Sequence, residues 1–396
     1  MSTLRSVGIA VLGSLIIIGC GGASEPETTD RVLAPAAYFP AGANAHGVAV
    51  AELDGDGRPD VVVAVPGDGG VAVLLGQGNR SFSSPRIYPT GAYPKHVVLI
   101  DVDGDGLLDV VTANQDSPSG EDVSVLLGLP TGEFAAPRHH EACEHPHQVA
   151  GGDFDGDKDI DLAVACWGQP EIAILEGLGG GAFAAPRFVM SGPNPHAVVV
   201  GYLDDDQVLD VAVANLGEST VGVLLGHGDL TFEPVAPTWV GWAPHDIAIA
   251  DVDADGDFDL ITANQGSNDV SVLVNAGDGT FDPATFAAGP VPKGVAVGDV
   301  DADGNVDIVT ANTHGNYPDG TATTDISLLR GIGDGTFEVP ITIPVVLSPF
   351  DATVADVDAD GRLDVVTANW HSNDVAVLFN VGGDITPADT PFLGHH

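Results

Sequence analysis

Basic side chains are scarce in this chain: 12 Lys and Arg stand against 57 Asp and Glu in 396 residues, a formal charge of -45. Such a surface repels nucleic acid and anionic membranes, so neither is an expected partner and cations are. Long apolar runs are missing as well. The run from Val7 to Ile18 falls short of the roughly 20 residues that span a bilayer, and no later stretch is longer. No GxSxG elbow, no GxxxxGK[ST] phosphate loop and no dedicated catalytic domain is present. What is there in quantity is turn and core: 52 Gly and 28 Pro point to an all-β chain with many turns, and 44% hydrophobic residues can fill a sizeable interior.

The N-terminus has one Arg, then the apolar run, then small residues around Cys20. That order suits a secretion signal. Ile17, Ile18, Gly19 and Cys20 resemble a bacterial lipobox, which implies cleavage before Cys20 and acylation of its thiol; the alternative is an ordinary signal peptide with a chance cysteine. The expected layout is a lipoprotein signal peptide over 1–19, a flexible tether over 20–31, a folded body over 32–383 and a C-terminal tail over 384–396. The expected location is the cell envelope, in the outer membrane, the periplasm or at the surface, with membrane contact only through the anchor. With Cys20 lipidated, Cys143 and Cys166 remain as an even pair in an oxidising compartment, which favours a disulfide over free or metal-ligating thiols.

Seven acidic loops recur, beginning at Glu52, Asp101, Asp153, Tyr202, Asp251, Asp299 and Asp356, with steps of 49, 52, 49, 49, 48 and 57 residues. Each unit has an alternating apolar segment before the loop, "LDVVTAN" or a variant after it, then "DVSVLLG", then "GDGTF" opening a fourth segment. Short Val/Ile/Leu/Thr runs punctuated by Gly, Asp and Asn read as strands. Four strands in a repeat near 50 residues describe a β-propeller blade, and seven units describe a seven-bladed ring. The last unit lacks a "GDGTF" opening, while "VLAPAAYFPAGANAH" before the first loop matches "FSSPRIYPTGAYPKH" of the next unit, with Val32 or Leu33 in the Phe position. The N-terminal strand should therefore complete blade seven and close the ring.

The combined pattern DxDxDGxxDVVTANxxSNDVSVLLxxGDGTF resembles FG-GAP and VCBS repeats, the calcium-binding units of integrin α-chain propellers and of many bacterial surface proteins. The resemblance covers roughly Val32 to Gly383. It implies the fold and calcium, with the first strand of each blade innermost and the calcium loops on the bottom face. It leaves molecular function open, because members include adhesins, lectins, toxin parts and accessory domains of sugar-cleaving enzymes.

The loop chemistry agrees on its own terms, because carboxylates at alternate positions of a turning loop form an oxygen cage that suits calcium. Loop one offers Glu52, Asp54, Asp56 and Asp60; loop two Asp101, Asp103, Asp105 and Asp109; loop three Asp153, Asp155, Asp157 and Asp161. Loop five offers Asp251, Asp253, Asp255 and Asp259; loop six Asp299, Asp301, Asp303 and Asp307; loop seven Asp356, Asp358, Asp360 and Asp364. Loop four keeps Asp204, Asp206 and Asp210 but has Tyr202 first and Gln207 in place of Gly, which makes it the doubtful one of up to seven sites. In loop three Lys158 holds the Gly position, so its turn is expected to be strained or different. An EF-hand is excluded, since position 12 is Val63, Thr112 or Val164 in the first three loops. The alternative to calcium is a set of solvated acidic turns, but 30 of the 57 acids lie in these loops and would repel without cations.

Six residues before each loop stand His46, Lys95, His147, His196, His245, Lys293 and Phe350, using four of 13 His and two of three Lys. By the resemblance, this register rings the top mouth of the channel. His314 and His371 fall in the top loops of blades six and seven. Three readings stay open: turn structure copied by duplication, a mouth for an anion or polar ligand, and a hub site for a transition metal. "HHEACEH" is not an HExxH zinc motif, because His140 and His145 are five apart; His139, His140 and His145 have no counterparts in other units.

Three functions follow for what is expected to be a monomer. The first is a binding or adhesion module that presents its top face to a glycan, a protein or an anionic small molecule. The second is an enzyme, either a hub-metal oxidoreductase or a calcium-dependent polysaccharide lyase. The third is a structural envelope component. The missing catalytic signatures favour the first.

Overall fold

The computed structural model describes residues 33–116, 122–313, 324–345 and 348–382. The signal peptide, Cys20, the tether, Val32, His314 with most of the blade-six insertion, and the C-terminal tail lie outside the described residues. The described chain is all-β: seven antiparallel sheets stand as blades around an axis, each running from an inner first strand to an outer fourth.

The second strand of every blade shows why these segments are strands. Asp60–Val65, Asp109–Asn114, Asp161–Cys166, Asp210–Asn215, Asp259–Asn264, Asp307–Asn312 and Asp364–Asn369 are buried along their whole length. Buried on both faces, they carry near-continuous Val, Ile, Leu and Ala instead of alternation. The core is accordingly not central. It forms apolar layers between successive blades, such as Val98, Val111 and Val125 of blade two against Val149, Leu162 and Val164 of blade three. The "TAN" ending is a hydrogen-bond device at the top of the blade: Thr310 Oγ1 donates to Asn312 Oδ1 at 2.9 Å, and the Asn312 amide donates to Asp325 and Ser327.

Ring closure follows the sequence expectation. Ala37–Pro40 pairs antiparallel with Asp374–Leu378, Ala37 opposite Val377. Leu33 bridges Asn380 as Phe134 bridges Gly128 in blade two, so Leu33 holds the Phe position. At the bottom, Arg80 of blade one donates to Asp358 of the blade-seven loop at 2.6 Å, a second contact across the seam.

Candidate functional site

The acidic loops at the bottom are folded by their own carboxylates. In blade two Asp101 accepts the N–H groups of Gly104 and Gly106 at 2.8 Å each, Asp103 accepts that of Asp105 at 3.2 Å, and Asp105 that of Leu107 at 2.8 Å. The sixth position is left-handed throughout: Gly106 at φ 88°, Lys158 at 81°, Gln207 at 66°. Lys158 therefore keeps the glycine turn and is strained by about 1 kcal/mol, not refolded into another shape. One oxygen from each of Glu52, Asp54 and Asp60 falls within 4.8 Å of the others, as do Asp101, Asp103 and Asp109, and Asp153, Asp155 and Asp161; in the fifth and sixth loops the trio is positions one, three and five instead, Asp251, Asp253 and Asp255, and Asp299, Asp301 and Asp303.

Position nine has a second role that spacing alone does not reveal. Asp109 accepts the amide of Val102 in its own loop at 2.9 Å and that of Gly128 beyond strand three at 2.7 Å. Asp60, Asp161, Asp210, Asp259, Asp307 and Asp364 repeat this tie. Burial pushes these carboxyls up, Asp109 to about 6 and Asp307 to about 7.

The ring register sits at the opposite end of the first strands, where each begins. Pairing with the second strand skips one residue between Pro94 and His96, Pro146 and Gln148, Pro195 and Ala197, Pro244 and Asp246, Pro292 and Gly294, and Pro349 and Asp351. The skipped residue is Lys95, His147, His196, His245, Lys293 or Phe350, so the ring residue of blades two to seven is a β-bulge. A bulged residue is left out of the ladder, and its side chain is re-aimed. Here the bulged residue and the one after it both line a single cavity at the hub.

That cavity, about 30 Å³, is lined by His46, Lys95, His147, His196, His245, Lys293 and Phe350, and one layer deeper by His96, Gln148, Asp246 and Asp351. The deeper layer escapes a count by register, although four polar residues at strand positions facing the interior were a visible signal. Its other positions are Gly47, Ala197 and Gly294, because seven large side chains do not fit around one narrow axis. A Cβ on Gly294 would lie 2.8 Å from Asp351 Cα. Gln148 links the layer, its amide 3.2 Å from both His96 Nε2 and Asp246 Oδ1 and its carbonyl oxygen accepting from Val198 at 2.6 Å. Burial raises both Asp246 and Asp351 well above the usual carboxylate range, and the charge of Asp246 raises Asp351 further.

The mouth is polarised. On one half, the rings of His147 and His196 lie 3.6 Å apart and those of His196 and His245 4.0 Å apart. On the other, Lys293 lies 4.2 Å and Lys95 6.0 Å from the Phe350 ring centre, and Lys95 is also 4.8 Å from Tyr93 and 5.3 Å from Trp370. Lys95 Nζ approaches His46 Nε2 at 3.3 Å. Burial, then the neighbouring lysines and histidines, hold His46 and His245 far below the ordinary imidazole value, and burial takes His196 to about 3. Burial likewise lowers Lys95 and Lys293 to about 8. Among the described residues, no carboxylate stands within ion-pair distance of either ammonium.

The remaining predicted residues sit apart. His371 Nδ1 is 2.7 Å from Ser348 Oγ, away from the cavity, while its neighbour Trp370 faces the mouth. Cys143 and Cys166 are disulfide-bonded, with Cα atoms 5.9 Å apart, at the top of blade three. His139 meets Ser124 at 3.0 Å, His140 packs on Phe183, and His145 meets the Gln115 carbonyl at 3.2 Å. They share no site.

The FG-GAP-like repeat profile matches residues 52–112, 153–213, 202–262 and 251–310, together more than half the chain. No curated protein matches the sequence. Among solved structures, BBS1N in its complex with ARL6DN is 12% identical at a TM-score of 0.60, covering 89% of this chain and 97% of that one. A functionally unknown protein from Desulfotomaculum acetoxidans is 13% identical at 0.53, covering 83% and 90%. At such identities these likenesses show the fold alone. The repeated profile match, on seven blades built around the same loop, makes this chain a member of the FG-GAP-like repeat family.

Proposed function

We propose that the protein is an exported, lipid-anchored propeller that binds calcium in its bottom loops and whose top face is a binding module for a ligand bearing an anionic group. One observation carries the ligand reading: Lys95 and Lys293 are mostly buried at the mouth, with no carboxylate in ion-pair contact among the described residues and only Asp116 acting on Lys95 at longer range, in a chain of net charge -45. Buried charge without compensation is costly, and an incoming anion supplies the compensation. The cavity volume of about 30 Å³ suits one small ionic group and not a sugar ring. The body of a glycan, protein or small molecule would lie across Tyr93, Trp370 and the exposed Trp167 and Trp242 of the top loops.

The calcium reading rests on the trios of loop carboxylates and on loops whose backbone is shaped by the same groups. Positions one, three, five and nine would hold the ion. Calcium there would supply positive charge to loops crowded with carboxylates. Export and anchoring rest on the N-terminal sequence.

An array of neutral, carboxylated and sulfated glycans tests the ligand reading, with the Lys95→Ala/Lys293→Ala protein alongside. Retention of acidic members and its loss in the double variant is the expected result. Equal retention of neutral members, or retention unchanged by the double variant, overturns it.

A further inference from the structure

We propose that the imidazole half of the hub is a transition-metal site, in which His147, His196 and His245 hold one imidazole-preferring divalent ion such as zinc, copper or nickel through Nε2. The three come from consecutive blades and are delivered to the axis by the same bulge. Their ring centres are 3.6, 4.0 and 6.0 Å apart. They share one cavity of about 30 Å³, room for an ion.

The tautomers point the same way. His196 donates Nδ1–H to the carbonyl of His245 at 2.6 Å, and His245 donates Nδ1–H to the carbonyl of Lys293 at 2.9 Å. His196 and His245 are thus each held by the ring residue of the next blade, and in the neutral form of these two rings Nε2 carries the lone pair. A second-shell bond from the far nitrogen to a carbonyl is how metal-binding histidines are oriented and kept basic. A mouth built only to bind anions would need N–H groups at those positions, which this tautomer denies it.

Asp246 and Asp351 form the cavity floor, and both lysines stand over the opposite, aromatic half of the mouth. Neighbouring rings are stacked at tilts of 40° and 51°, so drawing three Nε2 atoms onto one ion takes ring rotation. The loops at the bottom offer only oxygen and are a different class of site. A metal on the imidazole half and an anion on the ammonium half are compatible, and each stands without the other.

Cobalt(II) is the probe. The purified protein, with calcium in excess to fill the oxygen loops, is titrated with Co²⁺ and followed by visible absorption and by bound metal per chain. The expected result is one ion per chain with the intense bands of a four-coordinate nitrogen site, displaced by Zn²⁺. His196→Ala and His245→Ala should each weaken binding by about tenfold or more, while His145→Ala, which removes an imidazole outside the hub, keeps the bands. Circular dichroism checks that each variant is folded. The unaltered protein decides the matter if a histidine variant is not: weak six-coordinate bands alone at saturating Co²⁺ overturn the proposal, as do intense bands that persist in folded His196→Ala.

Discussion

Replacing Lys95 by Met should make the free protein more stable while removing half of its anion site. Burial lowers this amine from 10.5 to about 8. Below pH 8 the amine is charged in both folded and unfolded chains, so the native state bears the full cost of the shift, about 3 kcal/mol. Cation–π contacts to Tyr93 and Trp370 offset part of the burial of the charged form. Methionine fills similar space without charge, so the expected gain at pH 7 is about 1–2 kcal/mol, or a rise of a few degrees in melting temperature. The sign with pH is fixed: a folded value below the unfolded one means that native Lys95 sheds its proton first, and the original protein regains stability between pH 8 and pH 10.5. Urea unfolding at pH 7 and at pH 10 reads both quantities, and the variant's advantage should be present at the first and nearly gone at the second. Sulfate should raise the stability of the original protein by more than that of Lys95→Met, the general stabilising effect of the salt being common to both. A variant that is less stable at pH 7, or an advantage that persists at pH 10, would refute the picture of an uncompensated cation and with it the basis of the anion site.

Other expectations test other layers of the structure. Chelation should lower the melting temperature, since each calcium site at tenfold saturation contributes roughly 1.4 kcal/mol; an unchanged melt would count against calcium in the loops. Gly294→Ala should destabilise by about 1–3 kcal/mol, because its Cβ would press within 2.8 Å of Asp351 Cα in the next blade, and equilibrium unfolding measures it. Cys143→Ser should cost about 3 kcal/mol through the 23-residue separation it leaves unclosed, and the unreduced, unfolded parent should show no thiol between those cysteines by Ellman titration. Cys20→Ser should move the protein from the detergent to the aqueous phase on partitioning, and continued detergent retention would count against a lipid on that thiol.

The architecture was legible because it is written seven times. Period, strand count and even the closing strand follow from register alone, and Leu33 could be placed by matching one strand against its repeat. The hub was legible only in part, for a physical reason. A strand that alternates would send His147 and Gln148 to opposite faces, so register counting picks up one and discards the other. The bulge sends both inward, and nothing in "PHQV" or "PHDI" announces it beyond a polar residue where an apolar one is due. Side-chain turns at loop tips were equally hidden: His371 and Trp370 are adjacent, and only the structure shows that the indole faces the mouth. Position nine reads as a ligand from its carboxylate, whereas its tie to the backbone beyond strand three, 16 residues on in five blades, has no signature in the loop itself.

The bulge also explains how one scaffold position can hold imidazole, ammonium or phenyl in different blades. Two residues further along, Val48, Val97, Val149, Val198, Ile247, Val295 and Ala352 are buried. Those positions face a neighbouring blade, where a change of one methylene is felt. The bulged residue has no ladder partner and lies outside the layers between blades, so its side chain is limited chiefly by the width of the channel and by its neighbours there. Width enforces trade-offs, which is why Gly and Ala are interspersed among His, Gln and Asp in the deeper layer. Chemistry at the hub can therefore vary from blade to blade at small cost to the fold, and an asymmetric mouth, imidazole on one half and ammonium on the other, can be assembled from seven copies of one unit.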